Sequence, residues 1–181
     1  MPETLKIDRS HSVIGFSAKH FVVTTVRGQF QDFDGSVEVD GTDYRTIKAE
    51  AVIKTASITT NTQQRDDHLR SADFFDSEKY PEMKFVSTGV EPKSDDTYLL
   101  KGDLTIKDVT RPVELEATVE GTFNDPYGNE RTGVSIRGEI NREDWGLTYN
   151  QVLEAGAVMV SKKIKLEVDI AVLRPLAVPA Q

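Results

Sequence analysis

The chain of 181 residues contains no cysteine, and this absence excludes several classes of protein. A disulfide scaffold, thiol catalysis and zinc or iron–sulfur sites held by cysteine are all ruled out. Positive charge is also scarce, because 22 Lys and Arg against 30 Asp and Glu leave a formal net charge of −8. An acidic protein repels a phosphate backbone, so we expect no nucleic-acid partner.

Long apolar runs are missing as well. No run approaches the roughly 20 apolar residues that a membrane-spanning helix needs. The first residues, Met1 to Asp8, carry acids where a signal peptide needs basic residues followed by an apolar core. We therefore expect a cytoplasmic protein that does not span a membrane, and a periplasmic one only if a leader has been removed.

What the chain does have is alternation of apolar and polar residues with a period of two. It is clearest in residues 158–172, and it recurs in 12–20, 30–39, 47–53, 83–90, 98–106, 113–123 and 132–140. Turn-forming residues separate these segments, as expected for consecutive hairpins. The pattern predicts a single all-β domain over residues 1–181, an antiparallel eight-stranded closed barrel. A two-sheet sandwich fits almost as well.

One segment, residues 61–76, has helical spacing instead. Four residues would share one face of a short helix between strands: Arg65, His68, Leu69 and Ala72. Asn61 with Gln64 resembles a capping arrangement, and Asp66 with Arg70 is spaced for an ion pair on the solvent side.

Several short motifs are distributed over nearly the whole chain in a fixed order. They are Asp8-x-x-His11-Ser12, Gly28-x-Phe30, Ser57-Ile58-x-Thr60, Arg65-Asp66-x-His68-Leu69, Asp73-Phe74-Phe75-Asp76, Tyr80-Pro81, Gly102-Asp103-Leu104-Thr105-Ile106 and Asn141-Arg142. Together they resemble the YceI-like family of polyisoprenoid-binding proteins. The resemblance implies a lipocalin-like barrel, often a homodimer, that is a carrier and not an enzyme.

The resemblance also implies a ligand and its placement. A polyisoprenoid, for example a polyprenyl diphosphate or an isoprenoid quinone, or a fatty amphiphile, would lie with its tail in the lumen and its polar head at the mouth. The candidate lumen residues are Phe16, His20, Phe30, Phe85, Leu104, Ile136, Trp145, Leu147, Met159, Ile164 and Leu166. Any one of these apolar residues taken alone is more typical of an ordinary core, but together they could line a tunnel, because a filled barrel and a lined one use the same residue types.

Few basic residues are placed to hold a head group. The candidates are Arg65 and His68 on the helical face, with Arg142 and Asn150 before the last strand. A net charge of −8 would repel an anionic head, so such a head needs a local basic cluster. The alternative is structural: Arg65 pairs with Asp66, and Arg142 pairs with Glu143, Asp144 or another acid.

Two other kinds of site remain open on residue type alone. His11, His20 and His68, with Asp66 or Asp67, are a conceivable metal set, although no two histidines have a short ligand spacing. The same histidines or the carboxylates could serve a small-molecule hydrolase or isomerase, an idea that rests only on fold analogy. The known nucleophile, phosphate-loop, dinucleotide and metalloprotease motifs are absent. We therefore expect that the protein is not an enzyme and that it binds no cofactor and no metal.

Overall fold

The computed structural model describes residues 1–153 and 158–178. The remaining residues, 154–157 and 179–181, belong to the predicted domain but lie outside the described part. The strands are β1 (Pro2–Ile7), β2 (Val13–His20), β3 (Thr24–Phe30), β4 (Phe33–Asp40), β5 (Asp43–Lys54), β6 (Ile58–Thr59), β7 (Glu82–Pro92), β8 (Thr97–Ile106), β9 (Val109–Asn124), β10 (Asn129–Asn141) and β11 (Lys163–Pro175). The helix α1 spans Gln63–Arg70, and three short 3-10 turns cover Arg9–His11, Thr55–Ser57 and Arg142–Trp145.

The sheet closes into an eight-stranded antiparallel barrel, as the sequence predicts. Strands pair in the order β1-β4-β5-β7-β8-β9-β10-β11, and β11 pairs again with β1. Strand β2 pairs farther along the same edge of β11 and is itself paired with β3, which is followed by β6. The β1–β11 pairing rules out the sandwich, because a sandwich leaves two open sheets.

The first strand is missing from the sequence-based prediction. In β1 only Leu5 is buried, so the segment shows almost no alternation. It ends at Asp8, whose carboxylate accepts a hydrogen bond from the Ser10 amide at 3.1 Å and so begins the turn Arg9–His11. This turn separates β1 from β2 and lets both strands follow one edge of β11.

The last predicted strand begins too early. Residues 158–172 show alternation, yet β11 begins at Lys163, where its ladder with β10 begins opposite Asn141. Before that point there are two isolated bridges, one between Val160 and His20 and one between Val158 and Val152. Residues 158–162 therefore alternate like a strand, but they do not belong to the β10–β11 pairing that forms the barrel.

Helix α1 is present, but both predicted local contacts around it are wrong. The N-cap is Thr62, without a side-chain cap bond, while Asn61 has a φ of 62°. Asp66 is buried and not on the solvent side. Arg70 donates instead to Asp67, with 2.9 Å between Nη1 and Oδ1.

The apolar core forms two clusters inside the barrel. The larger one lies towards α1 and includes Phe30, Ile58 and Leu147, while the smaller one contains Leu5, Val39 and Val172. Within residues 1–153 and 158–178, no helix has the length and hydropathy needed to cross a bilayer.

Candidate ligand-binding cavity in the barrel

The barrel encloses a cavity of about 430 Å³, within the range of about 300–1,000 Å³ typical of small-molecule sites. Its wall extends from α1 to the far end of β11. Every second residue of β11 faces it, because strand side chains alternate between faces: Ile164, Leu166, Val168, Ile170, Val172 and Arg174. The inward face of the strands is therefore lined and not filled.

Most of the residues predicted for the lumen are on its wall. Ten of the eleven line the cavity: Phe16, His20, Phe30, Phe85, Leu104, Ile136, Leu147, Met159, Ile164 and Leu166. Trp145 does not. It is buried in the core, and its indole Nε1 donates to the Leu104 carbonyl at 2.9 Å. This hydrogen bond ties the turn Arg142–Trp145 to β8.

Two glycines leave room for aromatic rings of the cavity wall, a feature that the sequence analysis missed. A Cβ on Gly28 would lie 2.4 Å from Cζ of Phe16, and one on Gly102 would lie 2.4 Å from Cε2 of Phe85. Both phenyl rings therefore lie against backbone that has no side chain. The signal was available in principle, because Gly28 pairs directly with Phe16 and so shares its inward face.

Arg142 is a buried cation on the cavity wall, with 4% of its surface exposed. Its guanidinium donates to the carbonyl of Leu147 at 2.7 Å, from Nη1, and to that of Ser161 at 3.0 Å, from Nε. Burial lowers the pKa of Arg142, although an arginine stays protonated in proteins. Among the described residues it forms no ion pair, so its predicted pairing with Glu143 or Asp144 is not found.

Arg65 and Asp66 do not pair with each other, because both bind Thr60. The Asp66 carboxylate accepts from the Thr60 amide at 2.7 Å and from its hydroxyl at 2.6 Å. Arg65 donates from Nε to the same hydroxyl at 2.7 Å. Burial alone would raise the pKa of Asp66, but the hydrogen bonds from Thr60 and Thr59 and the charge of Arg70 together lower this pKa. A charged Asp66 thus holds Arg65 at the cavity wall.

His68 and Asn150 have different positions relative to the cavity. His68 lines it, 2.8 Å from Asp73 (Nε2 to Oδ2), with its ring packed edge-on against Tyr149. Asn150 is outside the lining. Its side chain donates to the Val160 carbonyl at 2.8 Å and accepts from the Val160 amide at 3.0 Å. Asn150 therefore positions the chain that supplies carbonyls to Arg142.

The opposite end of the cavity carries ion pairs that the sequence analysis missed. Arg174 lies 2.7 Å from Glu3 (Nε to Oε1) and 2.9 Å from Glu130 (Nη1 to Oε1), and Arg174 and Glu130 both line the cavity. Tyr44 and Tyr98, which also line the cavity, pack edge-on against each other. Arg174 continues the inward alternation of β11, so its position could have been found from the sequence.

The three histidines are not brought together. His11 lies in the turn before β2, with Nδ1 2.8 Å from Asp8 Oδ2, while His20 ends β2 and His68 lies on α1. In the part of the chain that the structure describes, no group of three or more His, Asp or Glu is arranged to hold a metal ion.

A closed antiparallel barrel with an apolar cavity is the architecture of a lipocalin-like binding protein. The model of the YceI-like domain matches residues 5–172, and the chain belongs to this family.

Relatives and solved structures agree with that assignment. A UPF0312 protein of Staphylococcus aureus (strain MSSA476) is 40% identical over 161 residues, covering 88% of this chain and 91% of the relative. The YCEI protein of Campylobacter jejuni has a TM-score of 0.75 at 30% identity, over 86% of this chain and 89% of that one. A polyisoprenoid binding domain from Saccharophagus degradans shares the fold, with a TM-score of 0.66 at 14% identity, over 94% and 98% of the two chains.

Proposed function

We propose that the protein binds and carries a polyisoprenoid or a similar long-chain amphiphile, with the tail in the lumen and the head at the mouth beside α1. The observation that carries the proposal is the cavity itself, an apolar lumen that runs from the α1 end to Arg174. The polyisoprenoid binding domain from Saccharophagus degradans, which shares the fold, supports the ligand class.

The dimensions of the lumen suit a long chain. Ile164 and Arg174 are both on the wall and lie ten residues apart on β11. That is about 33 Å of strand, or about 25 Å along the barrel axis for a strand tilt of about 40°. Each buried CH₂ contributes about 0.8 kcal/mol of gross transfer free energy, whereas one charge-assisted hydrogen bond contributes about 1.5–3 kcal/mol. Affinity should therefore depend mainly on the tail.

The mouth offers donors for a polar head. A guanidinium has five N–H groups, and Arg142 directs one each to the carbonyls of Leu147, Val160 and Ser161. Within the described residues, the other two make no hydrogen bond. Donors beside the lumen suit the oxygens of a diphosphate or of a quinone carbonyl. Arg65 and His68 lie on the same wall.

The lumen is tested by native mass spectrometry of gently purified protein, followed by organic extraction of whatever is bound. We expect a bound lipid, or retention of added polyprenyl or long-chain lipid. Leu104→Arg, which places a charge on the wall, should abolish retention. Thr105→Arg, on the next residue of β8 and therefore on the outer face, is the matched control and should retain lipid.

Circular dichroism melts of both variants separate lost binding from lost folding. A folded Leu104→Arg protein without lipid supports the proposal. If Leu104→Arg unfolds, Ile136→Gln is the milder lumen variant to compare. A wild-type protein that is empty and retains no polyprenyl or long-chain lipid would overturn the proposal.

The proposal is for binding without catalysis, and it requires no cofactor. We also propose a homodimer, on the family resemblance, which light scattering coupled to size-exclusion chromatography would test. A cytoplasmic location stays a prediction of the sequence.

A further inference from the structure

The turn between β2 and β3 exposes three consecutive apolar side chains. Phe21, Val22 and Val23 are 49%, 58% and 83% exposed. Tight turns ordinarily use Gly, Asn, Asp or Ser, which tolerate the backbone and the solvent. Here Phe21 and Val22 have φ angles of 51° and 68°, a conformation that is unfavourable for a β-branched residue. The turn thus presents apolar groups where neither solvation nor backbone preference favours them.

This turn lies beside the mouth of the cavity. The Phe21 amide donates to the Met159 carbonyl at 2.8 Å, and His20 forms a bridge with Val160. His20, Met159 and Val160 all line the cavity. Val152, on the strand segment that bonds to 158–159, is also exposed. We call Phe21, Val22, Val23 and Val152 the apolar rim.

The charge around the apolar rim differs from that of the rest of the chain. Residues 13–30 and 158–166 contain no Asp or Glu, although the whole chain has 30; near Val152 the sequence has one acid, Glu154. Lys19, Lys162 and Lys163 lie in these segments. Lys19 donates to the Thr25 hydroxyl at 2.7 Å and has no carboxylate partner among the described residues. Lys162 and Lys163 lie 3.5 and 3.6 Å from Glu143 and Glu139 in exposed pairs, which salt and competing anions loosen readily.

The opposite end of the barrel provides the contrast. Phe123 and Tyr127 are exposed there as well. The arginines at that end, Arg131 and Arg174, are bound to the carboxylates of Asp125, Glu130 and Glu3. Lys19 at the apolar rim has no such partner among the described residues, so we expect an anionic surface to be attracted more strongly at the rim.

We propose that the apolar rim and its lysines dock the protein on an anionic lipid bilayer, with the mouth of the cavity facing the membrane. Apolar side chains flanked by basic ones enter the interface between headgroups and acyl chains, and the lysines add attraction to anionic lipids. Docking does not require a lipid in the lumen. Docking would let a lipid tail pass between the bilayer and the lumen without crossing water. This consequence rests on the proposed function.

The test is flotation of the full chain with vesicles, either of phosphatidylcholine alone or of equal parts phosphatidylcholine and phosphatidylglycerol. We expect binding to the anionic vesicles, weakening as salt is added. The double variant Phe21→Ser with Val23→Ser should bind at least about tenfold more weakly, because it removes about half of the exposed apolar area of the rim. Lys19→Glu should weaken binding by about fivefold or more. Phe123→Ser with Tyr127→Ser is the matched control and should bind like the wild type.

The outcomes separate docking from lumen binding. Retention of detergent-solubilised polyprenyl lipid should be unchanged in the Phe21 and Val23 double variant, since neither residue lines the cavity. If the lumen takes up no lipid while vesicle binding persists, the proposed function fails and docking stands. Docking is overturned if the wild type does not float with anionic vesicles, or if the rim variant floats as well as the wild type. It is also overturned if the rim variant dissociates a dimer and vesicles have no effect, because the rim then covers a second copy.

Discussion

Gly28 has no side chain, and this sets the width of the lumen beside it. The Phe16 ring occupies the space where a Cβ of Gly28 would be, 2.4 Å from Cζ. Because a phenyl ring can turn about its own side-chain bonds, an added methyl should push the ring into the cavity before it displaces the backbone.

We therefore predict that Gly28→Ala narrows the lumen. Binding of a branched polyprenyl chain should weaken by about tenfold or more relative to that of a straight fatty chain, at a stability cost of about 1–3 kcal/mol. Competition binding of the two lipids, with a urea unfolding curve, measures both effects. Gly121→Ala is the control, since a Cβ there meets nothing within 4 Å. An unchanged preference between the two lipids would count against this account of the wall.

At the scale of one element, α1 is anchored by a carboxylate and not by its cap. Asp66 accepts two hydrogen bonds from Thr60, and Arg65 donates to the same threonine. Removing the carboxylate leaves a buried amide without its acceptor and frees the hydroxyl that holds Arg65.

The neighbouring residues Asp66 and Asp67 allow a matched comparison. Asp66→Ala should lower the free energy of unfolding by about 1–3 kcal/mol. It should also weaken binding of a diphosphate-headed lipid more than that of the corresponding alcohol. Asp67→Ala breaks only an exposed pair with Arg70 and should cost no more than about 1 kcal/mol. Equal effects of the two substitutions, measured by denaturant unfolding and lipid titration, would refute the anchoring role.

The helix α1 could be predicted from the sequence, but its contacts could not. The spacing of Arg65, His68 and Leu69 was sufficient to predict α1, because a helix repeats every 3.6 residues. Spacing could not show that Asp66 turns inward to Thr60, since that depends on where β6 ends relative to the helix. The ion pair with Asp67 instead of Asp66 follows from that inward turn.

At the scale of the whole molecule, the barrel closes along a short seam. Strand β1 pairs with β11 at only two positions, Lys6 with Leu173 and Ile7 with Val172. Just beyond them Asp8 accepts a hydrogen bond from the Ser10 side chain and one from Arg131 of β10. These bonds, with one from His11, hold the pKa of Asp8 well below its usual range.

The free energy of unfolding of the closed barrel should therefore fall in acid. Because the pKa of Asp8 is lower in the folded state than in the unfolded state, its carboxylate stabilises the fold above about pH 4. That stabilisation is lost progressively as the pH falls below this value. Asp8→Asn should cost about 2 kcal/mol at neutral pH, and its difference from the wild type should shrink towards about pH 3. Urea unfolding at both pH values measures this difference, with Asp95→Asn in an exposed loop as control. A difference that stays constant in acid would contradict the role of Asp8.

The barrel could be predicted because alternation is a local signal and hairpins are local connections. Its seam could not, because β1 carries a single buried residue and pairs with strands far along the chain. The same distinction applies to the site. Lumen positions such as Leu166 follow from the period of two. Trp145 instead lies outside the cavity lining, where it makes a hydrogen bond to Leu104, 41 residues away in the sequence, which no local pattern reveals. Whether the inward face was filled depended on Gly28 and Gly102, whose effect appears only when the strands are paired.

The ion pairs of Arg174 at the far end of the lumen bear on chain length. In the proposed function, a tail that enters from the α1 end would meet apolar side chains until it reached Arg174 and Glu130. A terminal methyl group pressed against this pair would take water from the charges and gain little in return. The pair would therefore limit how far a tail can enter the lumen. Shorter tails would leave part of the lumen unused, and longer ones would hold their heads away from Arg142. The proposed carrier would then select its ligands by tail length as well as by head group.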